Sequence, residues 1–138
     1  MKKIKRGLTL LLVLVLSLTS MDFQMSTSIV NAETTSSKFK TIYVGDYHTA
    51  AITKSGDLYT WGWNQEGQLG NGSTKANYTP TKIMSNVKKA SVSEYSSAAI
   101  TKKGELYVWG SNVDGSLAGG TDKYILKPRK IMDNVVDV

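Results

Sequence analysis

The sequence predicts an all-β protein whose repeat region, residues 39–138, holds two four-stranded antiparallel units. Two observations predict this class. Residues 43–90 align with residues 91–138 without a gap, with 23 identities in 48 positions. Within each copy, short segments rich in β-branched and aromatic residues are separated by turns that contain glycine. Because no part of these residues keeps a helical period, the chain is expected to duplicate one β-structural unit of about 48 residues.

The strands of the second copy can be placed from its turn residues. Lys103-Gly104 supplies a tight turn between two β-type segments. A proline is tolerated at the first residue of a strand, which allows a strand to start at Pro128. The first copy follows the same course from Ile42 to Met84. The strands of the second copy are expected at residues 90–92, 97–101, 105–109 and 128–132.

Four short strands per unit, with a period in the forties, are typical of a β-propeller blade. Blades pack face to face, so both faces of each sheet can be apolar. The small Ala50-Ala51 pair is expected on a crowded inner strand. The repeated glycines are expected in turns with positive φ or at close backbone contacts; as structural positions we single out Gly56, Gly62, Gly67, Gly104, Gly110 and Gly115.

The blade count predicts a partial propeller. Residues 135–138 are expected to be the first strand of a third blade. Two blades leave sheet faces and strand edges uncovered, and closed propellers have about four to eight blades. Further blades, in a longer protein, or self-assembly of several copies are therefore expected to complete the ring, and we favour a fragment.

Residues 1–32 have the pattern of a secretory signal peptide. A cationic start, residues 1–6, precedes an apolar run at residues 8–18, which is too short for a membrane span of about 20 residues. Val30-Asn31-Ala32 offers a cleavage site, and Ser26-Thr27-Ser28 an earlier one. The alternative is an uncleaved anchor or a buried helix. Residues 33–38 are expected to be a linker, and no membrane span is expected after cleavage.

Composition excludes several classes of site. The chain has no Cys and one His, which leaves no cysteine-ligated zinc and no two-histidine metal site, and we expect no metal or cofactor. Half of the net charge of +6 lies in residues 1–32. The rest is mildly basic without a polybasic run, so we expect no nucleic-acid partner.

No catalytic motif is found either. A nucleophile elbow, a phosphate-binding loop and a calcium-binding loop are all missing from the sequence. Residues 70–75 resemble a phosphate loop only faintly, because its glycine spacing and its Lys-Ser/Thr order are lacking. The sequence therefore predicts a protein that is not an enzyme.

His48, Trp61 and Trp109 are interpreted as structural residues. His48 could act as a general base, but it opens a strand, and the second copy carries Ser96 in its place. We expect it to be buried and to satisfy backbone groups of its turn. Trp61 and Trp109 occupy equivalent positions and are expected in blade cores; stacking on carbohydrate is the less favoured alternative.

Two features are candidates for contact with a partner. The acidic-aromatic pairs Asp46-Tyr47 and Glu94-Tyr95 stand at equivalent turns, which gather on one face of a propeller. A ring of tyrosines suits an interface, although ordinary turns with half-packed tyrosines explain the pattern equally well. The loops at residues 63–79 and 111–127 differ between copies and carry Trp63, Tyr78 and Tyr124. These loops either determine which partner binds or, as we favour, only cover the blade.

Three motifs of the first copy resemble the regulator-of-chromosome-condensation repeat: residues 45–52 (GDYHTAAI), 55–62 (SGDLYTWG) and 64–70 (NQEGQLG). The resemblance covers residues 40–138 and implies a seven-bladed β-propeller. The second copy departs from the pattern at Ser93, Ser96, Ser116 and Ala118.

The function expected from these features is that of a secreted or cell-surface protein-interaction module with an unknown protein partner. The resemblance adds two alternatives. One is a secreted enzyme inhibitor, since a β-lactamase-inhibiting protein has this kind of propeller. The other is a guanine-nucleotide exchange factor, as the family name implies, against which the export signal and the absence of a basic tail both count.

Overall fold

Residues 38–138 are described by the structure, a computed structural model. They form eight strands and no helix, which confirms the all-β class. Accordingly, this part of the chain contains no helix long and apolar enough to cross a membrane. The predicted signal peptide and all of the predicted linker except Lys38 lie outside the described residues.

The strands form two four-stranded sheets in chain order, β1-β2-β3-β4 and β5-β6-β7-β8, and all neighbouring strands are antiparallel. The first sheet contains β1 (Phe39–Val44), β2 (His48–Thr53), β3 (Leu58–Gly62) and β4 (Asn77–Met84). The second contains β5 (Val87–Val92), β6 (Ser96–Thr101), β7 (Leu106–Ser111) and β8 (Tyr124–Met132). Each sheet is one blade, as predicted.

The register confirms that the second blade duplicates the first. His48 lies opposite Gly62 in blade 1, and Ser96 lies opposite Gly110 in blade 2. The turn glycines also have the positive φ that was expected, from 70° to 124°. The Ala50-Ala51 pair lies in β2, between β1 and β3, and both residues are buried.

In blade 2, two strand starts differ by three or four residues from those predicted. The first strand of blade 2 starts at Val87 instead of Ala90, and the last starts at Tyr124 instead of Pro128. The prolines therefore stand inside β4 and β8, not at the first residue of a strand. They are tolerated because β4 and β8 are the edge strands of their sheets, where one side of the backbone has no strand partner.

Residues 135–138 form no strand, contrary to the prediction of a third-blade strand. The Val135 amide donates to the Gly104 carbonyl at 2.9 Å, just as Val87 donates to Gly56 at 2.8 Å in blade 1. The same backbone hydrogen bond therefore follows the last strand of each blade. A strand needs a ladder partner for its backbone groups, and residues 38–138 supply none at this point.

Blade 1 covers one face of blade 2 with the loop at residues 63–76. The Gly72 amide donates to the Leu126 carbonyl at 2.8 Å, and the Gln68 carbonyl accepts a hydrogen bond from the Trp109 indole N–H, also at 2.8 Å. Trp109 is thereby fully buried. The shared core contains Ala50, Ile52, Leu58, Val87, Ala90, Ala99, Val108, Trp109 and Ile125.

Gly70→Ala is expected to lower the free energy of unfolding by roughly 2 kcal/mol, because it adds strain at positive φ and overpacks the site. Gly70 has a φ of 68°, and a Cβ there would lie 2.8 Å from the Trp109 ring. Blade 2 carries Ala118 at the equivalent position, with a φ of 51°. Equilibrium urea unfolding measures the effect. Ala118→Gly is the matched control and should cost nothing; an equal loss in both variants would contradict this account.

Candidate functional site

Three aromatic side chains from separate segments meet on the surface of the two blades. The rings of Tyr47 and Tyr95 are stacked, with centroids 6.0 Å apart and planes 29° apart. The Trp63 ring lies 5.6 Å from Tyr47 and 6.0 Å from Tyr95. Tyr47 is 52% exposed and Tyr95 39% exposed, whereas Trp63 is half-buried. We refer to Tyr47, Trp63 and Tyr95 as the aromatic cluster.

Backbone geometry fixes Trp63 beside Tyr47. The Trp63 amide donates to the Tyr47 carbonyl at 2.9 Å, which ties the end of β3 to the turn between β1 and β2. Gly62, with a φ of 124°, permits this approach, since a Cβ there would lie 2.6 Å from the Tyr47 carbonyl oxygen. The glycine therefore determines where the tryptophan is placed.

Blade 2 repeats this turn without its tryptophan. The Ser111 amide donates to the Tyr95 carbonyl at 2.9 Å, as Trp63 does to Tyr47. The structure thus brings together the two tyrosine turns that the sequence singled out. Trp63 was also a predicted candidate, as part of its loop, but nothing in the sequence indicated that it contacts both tyrosines.

Two carboxylates, Glu94 and Glu66, lie near Tyr95 of the aromatic cluster. Asp46 and Glu94 precede the two tyrosines in the sequence, and Asp46 is exposed. A hydrogen bond with Glu94 is the largest cause that raises the pKa of Tyr95 to about 12; desolvation and the nearby charges of Glu94 and Glu66 add to it. The phenol is therefore neutral at physiological pH. We refer to Asp46, Glu66 and Glu94 as the acidic rim. Glu66 was not predicted from the sequence, because only the packing of the loop of blade 1 brings it near Tyr95.

Tyr78 and Tyr124 make no ring contact with the aromatic cluster. Contrary to the prediction that both lie in loops, Tyr78 belongs to β4 and Tyr124 opens β8. Tyr78 is 77% exposed, and Tyr124 is half-buried with the Lys123 ammonium 5.0 Å above its ring. The candidate site therefore includes Trp63 but neither of these tyrosines.

His48 has a structural environment that differs from the expected one. It is buried, but its Nε2 donates to the Ser97 hydroxyl at 2.7 Å instead of pairing with backbone groups of its turn. Ser97 in turn donates to the Gln68 carbonyl at 2.9 Å. The hydrogen bonds therefore join the two blades, which the sequence did not indicate. Burial lowers the pKa of His48 to about 4, so the imidazole is neutral.

The two equivalent tryptophans differ in burial. Trp109 lies in the core between the blades, whereas Trp61 is half-buried, with its ring centroid 6.1 Å from that of Phe39. The expectation of a blade-core aromatic thus fits Trp109 fully and Trp61 in part. Throughout residues 38–138, no group of three or more His, Asp or Glu side chains is placed to hold a metal ion.

Comparison with known families identifies the repeat. Two models, both described as the regulator of chromosome condensation (RCC1) repeat, match the chain, one at residues 55–100 and the other at residues 39–68 and 87–116. Together the matches run from residue 39 to residue 116, more than half of the chain. The second model matches the same part of both blades, 48 residues apart, as the strand register requires.

The ultraviolet-B receptor UVR8 of Arabidopsis thaliana is 42% identical over 48 residues, which are 35% of this chain and 11% of that protein. Human WBSCR16 superposes with a TM-score of 0.64 and 27% identity, covering 68% of this chain and 25% of its own. Prp20p of Saccharomyces cerevisiae superposes with a TM-score of 0.60 and 22% identity, covering 70% of this chain and 26% of its own. The chain thus spans about a tenth of the receptor and about a quarter of the two solved propeller chains. It belongs to the regulator of chromosome condensation (RCC1) repeat family.

Proposed function

We propose that this chain is a secreted or cell-surface protein-interaction module, without catalytic activity, that holds a protein partner through the aromatic cluster. One observation carries the proposal: three large aromatic rings from both blades lie within 6.0 Å of each other on the surface. Tyrosine and tryptophan are enriched in protein interfaces, where they bury a large area with few rotatable bonds.

The scaffold beneath the cluster supports this role. The turns that carry the tyrosines follow β-strands held in two sheets, and backbone hydrogen bonds fix both turns. A rigid scaffold that presents side chains from its turns is a common arrangement for binding. The crystal structure of Prp20p, similar in fold, was described together with its binding to Gsp1p and histones. We propose a binding role of the same broad kind here, with a different partner.

Secretion is proposed from residues 1–32, whose cationic start and short apolar run are typical of a signal peptide. An exported chain would not meet a cytosolic GTPase, so the signal argues against nucleotide exchange. Secreted inhibition of an enzyme is a narrower form of the same binding role.

A pull-down with the exported chain, incubated with proteins from the surroundings of the producing cells, tests the proposal. We expect the wild-type protein to retain a specific partner and Tyr47→Ala/Tyr95→Ala to lose it, because truncating central aromatic residues costs about 2 kcal/mol or more of binding energy each. Tyr78→Ala removes an equally large, more exposed tyrosine outside the aromatic cluster and should bind normally.

Thermal melting of the same variants shows whether the loss is specific. The double variant should melt within a few degrees of the wild type, since both tyrosines are substantially exposed. Unfolding of the double variant would show that the tyrosines are core residues. Equal capture by the wild type and the double variant, or stimulation of nucleotide exchange on a GTPase as the only activity, would also refute the proposal.

A further inference from the structure

We propose that the aromatic cluster and the acidic rim form a cation-binding surface, so that the protein partner binds with a basic segment whose arginine or lysine side chains lie over the rings. This inference rests on the proposed function, because it specifies the chemistry of the partner at the same surface. Two observations support it: the orientation of the three aromatic rings, and which carboxylates form ion pairs within residues 38–138.

The Trp63 ring faces a different direction from the two tyrosine rings. Tyr47 and Tyr95 are within 29° of parallel, whereas the Trp63 plane is inclined by 54° to Tyr47 and by 56° to Tyr95. A cation is attracted to the face of tyrosine and most strongly to that of tryptophan, within about 6 Å of the ring centroid. With centroids no more than 6.0 Å apart, one guanidinium or ammonium group is within reach of more than one ring.

The acidic rim differs in charge pairing from most other carboxylates. Residues 38–138 contain nine Asp and Glu residues. Within this part of the chain, Asp46, Glu66 and Glu94 form no ion pair, although Glu66 interacts electrostatically with Lys123 at longer range. Five of the remaining six form ion pairs, and these pairs are Asp57–Lys82, Glu105–Lys130, Asp122–Arg129, Asp133–Lys130 and Asp137–Lys89.

Charge complementarity follows from this pairing. Lysine and arginine outnumber the acidic residues in the whole chain by 17 to 11. Within residues 38–138, however, neither Glu66 nor Glu94, which both act on Tyr95, forms an ion pair, and neither does Asp46 beside Tyr47 in the sequence. An apolar partner covering the rings would desolvate these carboxylates without compensation, which is costly. A basic segment places positive charge where both the carboxylates and the ring faces favour it.

Fluorescence anisotropy with a labelled probe peptide tests this inference on the full exported chain. The probe is an eight-residue peptide of alternating arginine and glycine, and its control replaces each arginine with citrulline, which has nearly the same shape and no charge. We expect the arginine peptide to bind at least about tenfold more tightly, and its affinity to fall as salt is raised.

Variants locate the binding at the proposed surface. Trp63→Ser copies Ser111, the residue at the equivalent position of blade 2, and should weaken binding of the arginine peptide several-fold. Glu66→Gln/Glu94→Gln should weaken it similarly while leaving the aromatic cluster in place. Asp114→Asn is the matched control for Glu66, because Asp114 is its equivalent 48 residues later and also forms no ion pair; this variant should bind normally.

Equal binding of the arginine and citrulline peptides would overturn the inference, and so would equal binding by the wild type and the Trp63→Ser and Glu66→Gln/Glu94→Gln variants. The pull-down separates this failure from that of the proposed function. A partner lost with Tyr47→Ala/Tyr95→Ala but retained by Glu66→Gln/Glu94→Gln would leave the interaction module standing and refute its cationic partner. A partner retained by all variants would refute both.

Discussion

Trp109→Ala is expected to lower the free energy of unfolding by about 3–5 kcal/mol, the usual cost of removing a large buried aromatic residue. The Trp109 side chain is fully buried where blade 1 covers blade 2, and its indole N–H donates to the Gln68 carbonyl at 2.8 Å. The substitution leaves a cavity. It also removes one of the two hydrogen bonds that the Gln68 carbonyl accepts, since the other comes from Ser97. Equilibrium unfolding in guanidinium chloride, followed by circular dichroism, measures the change.

Trp61→Ala is the matched control for this variant. Trp61 occupies the same position in the repeat, 48 residues earlier, but is only half-buried and has Phe39 as its aromatic neighbour. Its removal is expected to cost about 1 kcal/mol, because less area returns to water. Equal losses in the two variants would show that the loop of blade 1 does not bury Trp109 as the structure describes.

Acidification is expected to reduce stability through His48 by about 3 kcal/mol between pH 7 and pH 4. Burial lowers the pKa of His48 from its ordinary 6.5 to about 4 in the folded state. Below pH 6.5 the unfolded chain therefore binds a proton that the folded chain does not. The stabilisation is fully present above pH 6.5 and is lost as the pH falls through about 4. Urea unfolding across this range measures the slope.

His48→Gln isolates this contribution from those of the carboxylates. Its amide can donate to the Ser97 hydroxyl, as His48 does, but it does not titrate. The difference between the two proteins should therefore carry the His48 pH dependence. The chain has one histidine, so the imidazole proton resonances are assigned without ambiguity. A histidine that titrates near 6.5 in the folded protein would contradict the account.

The sequence predicted the presence and order of the strands in each blade more accurately than the residues at which the strands start. The 48-residue alignment located the central strands and the turn glycines, because each repeats the same local backbone geometry. The starts of β5 and β8 were misplaced by three and four residues. Hydrogen bonding to the neighbouring strand sets these ends, and local sequence carries little information about it. The start of β8 was predicted at Pro128, because proline is normally excluded from the interior of a strand. It is tolerated inside β8 because β8 is an edge strand, which the sequence does not show.

The candidate site was predicted in part. Repetition alone pointed to Tyr47 and Tyr95, since an equivalent turn in each blade places its tyrosine on the same side. It did not point to Glu66 or to the contact of Trp63 with both tyrosines. Those placements depend on how the loop of blade 1 lies against blade 2, a contact between residues that are far apart in the chain.

The sequence by itself determined the all-β class and the duplication, because these follow from local propensity and from repetition, and its motifs carried the resemblance to a propeller family. Only the tertiary structure decided which of two equivalent residues is fully buried and which is only half-buried. Trp109 and Trp61 occupy the same position in their repeats, yet the loop of blade 1 covers only Trp109. Burial depends on what packs against a residue, and the repeated sequence is the same whether or not a neighbouring blade is present.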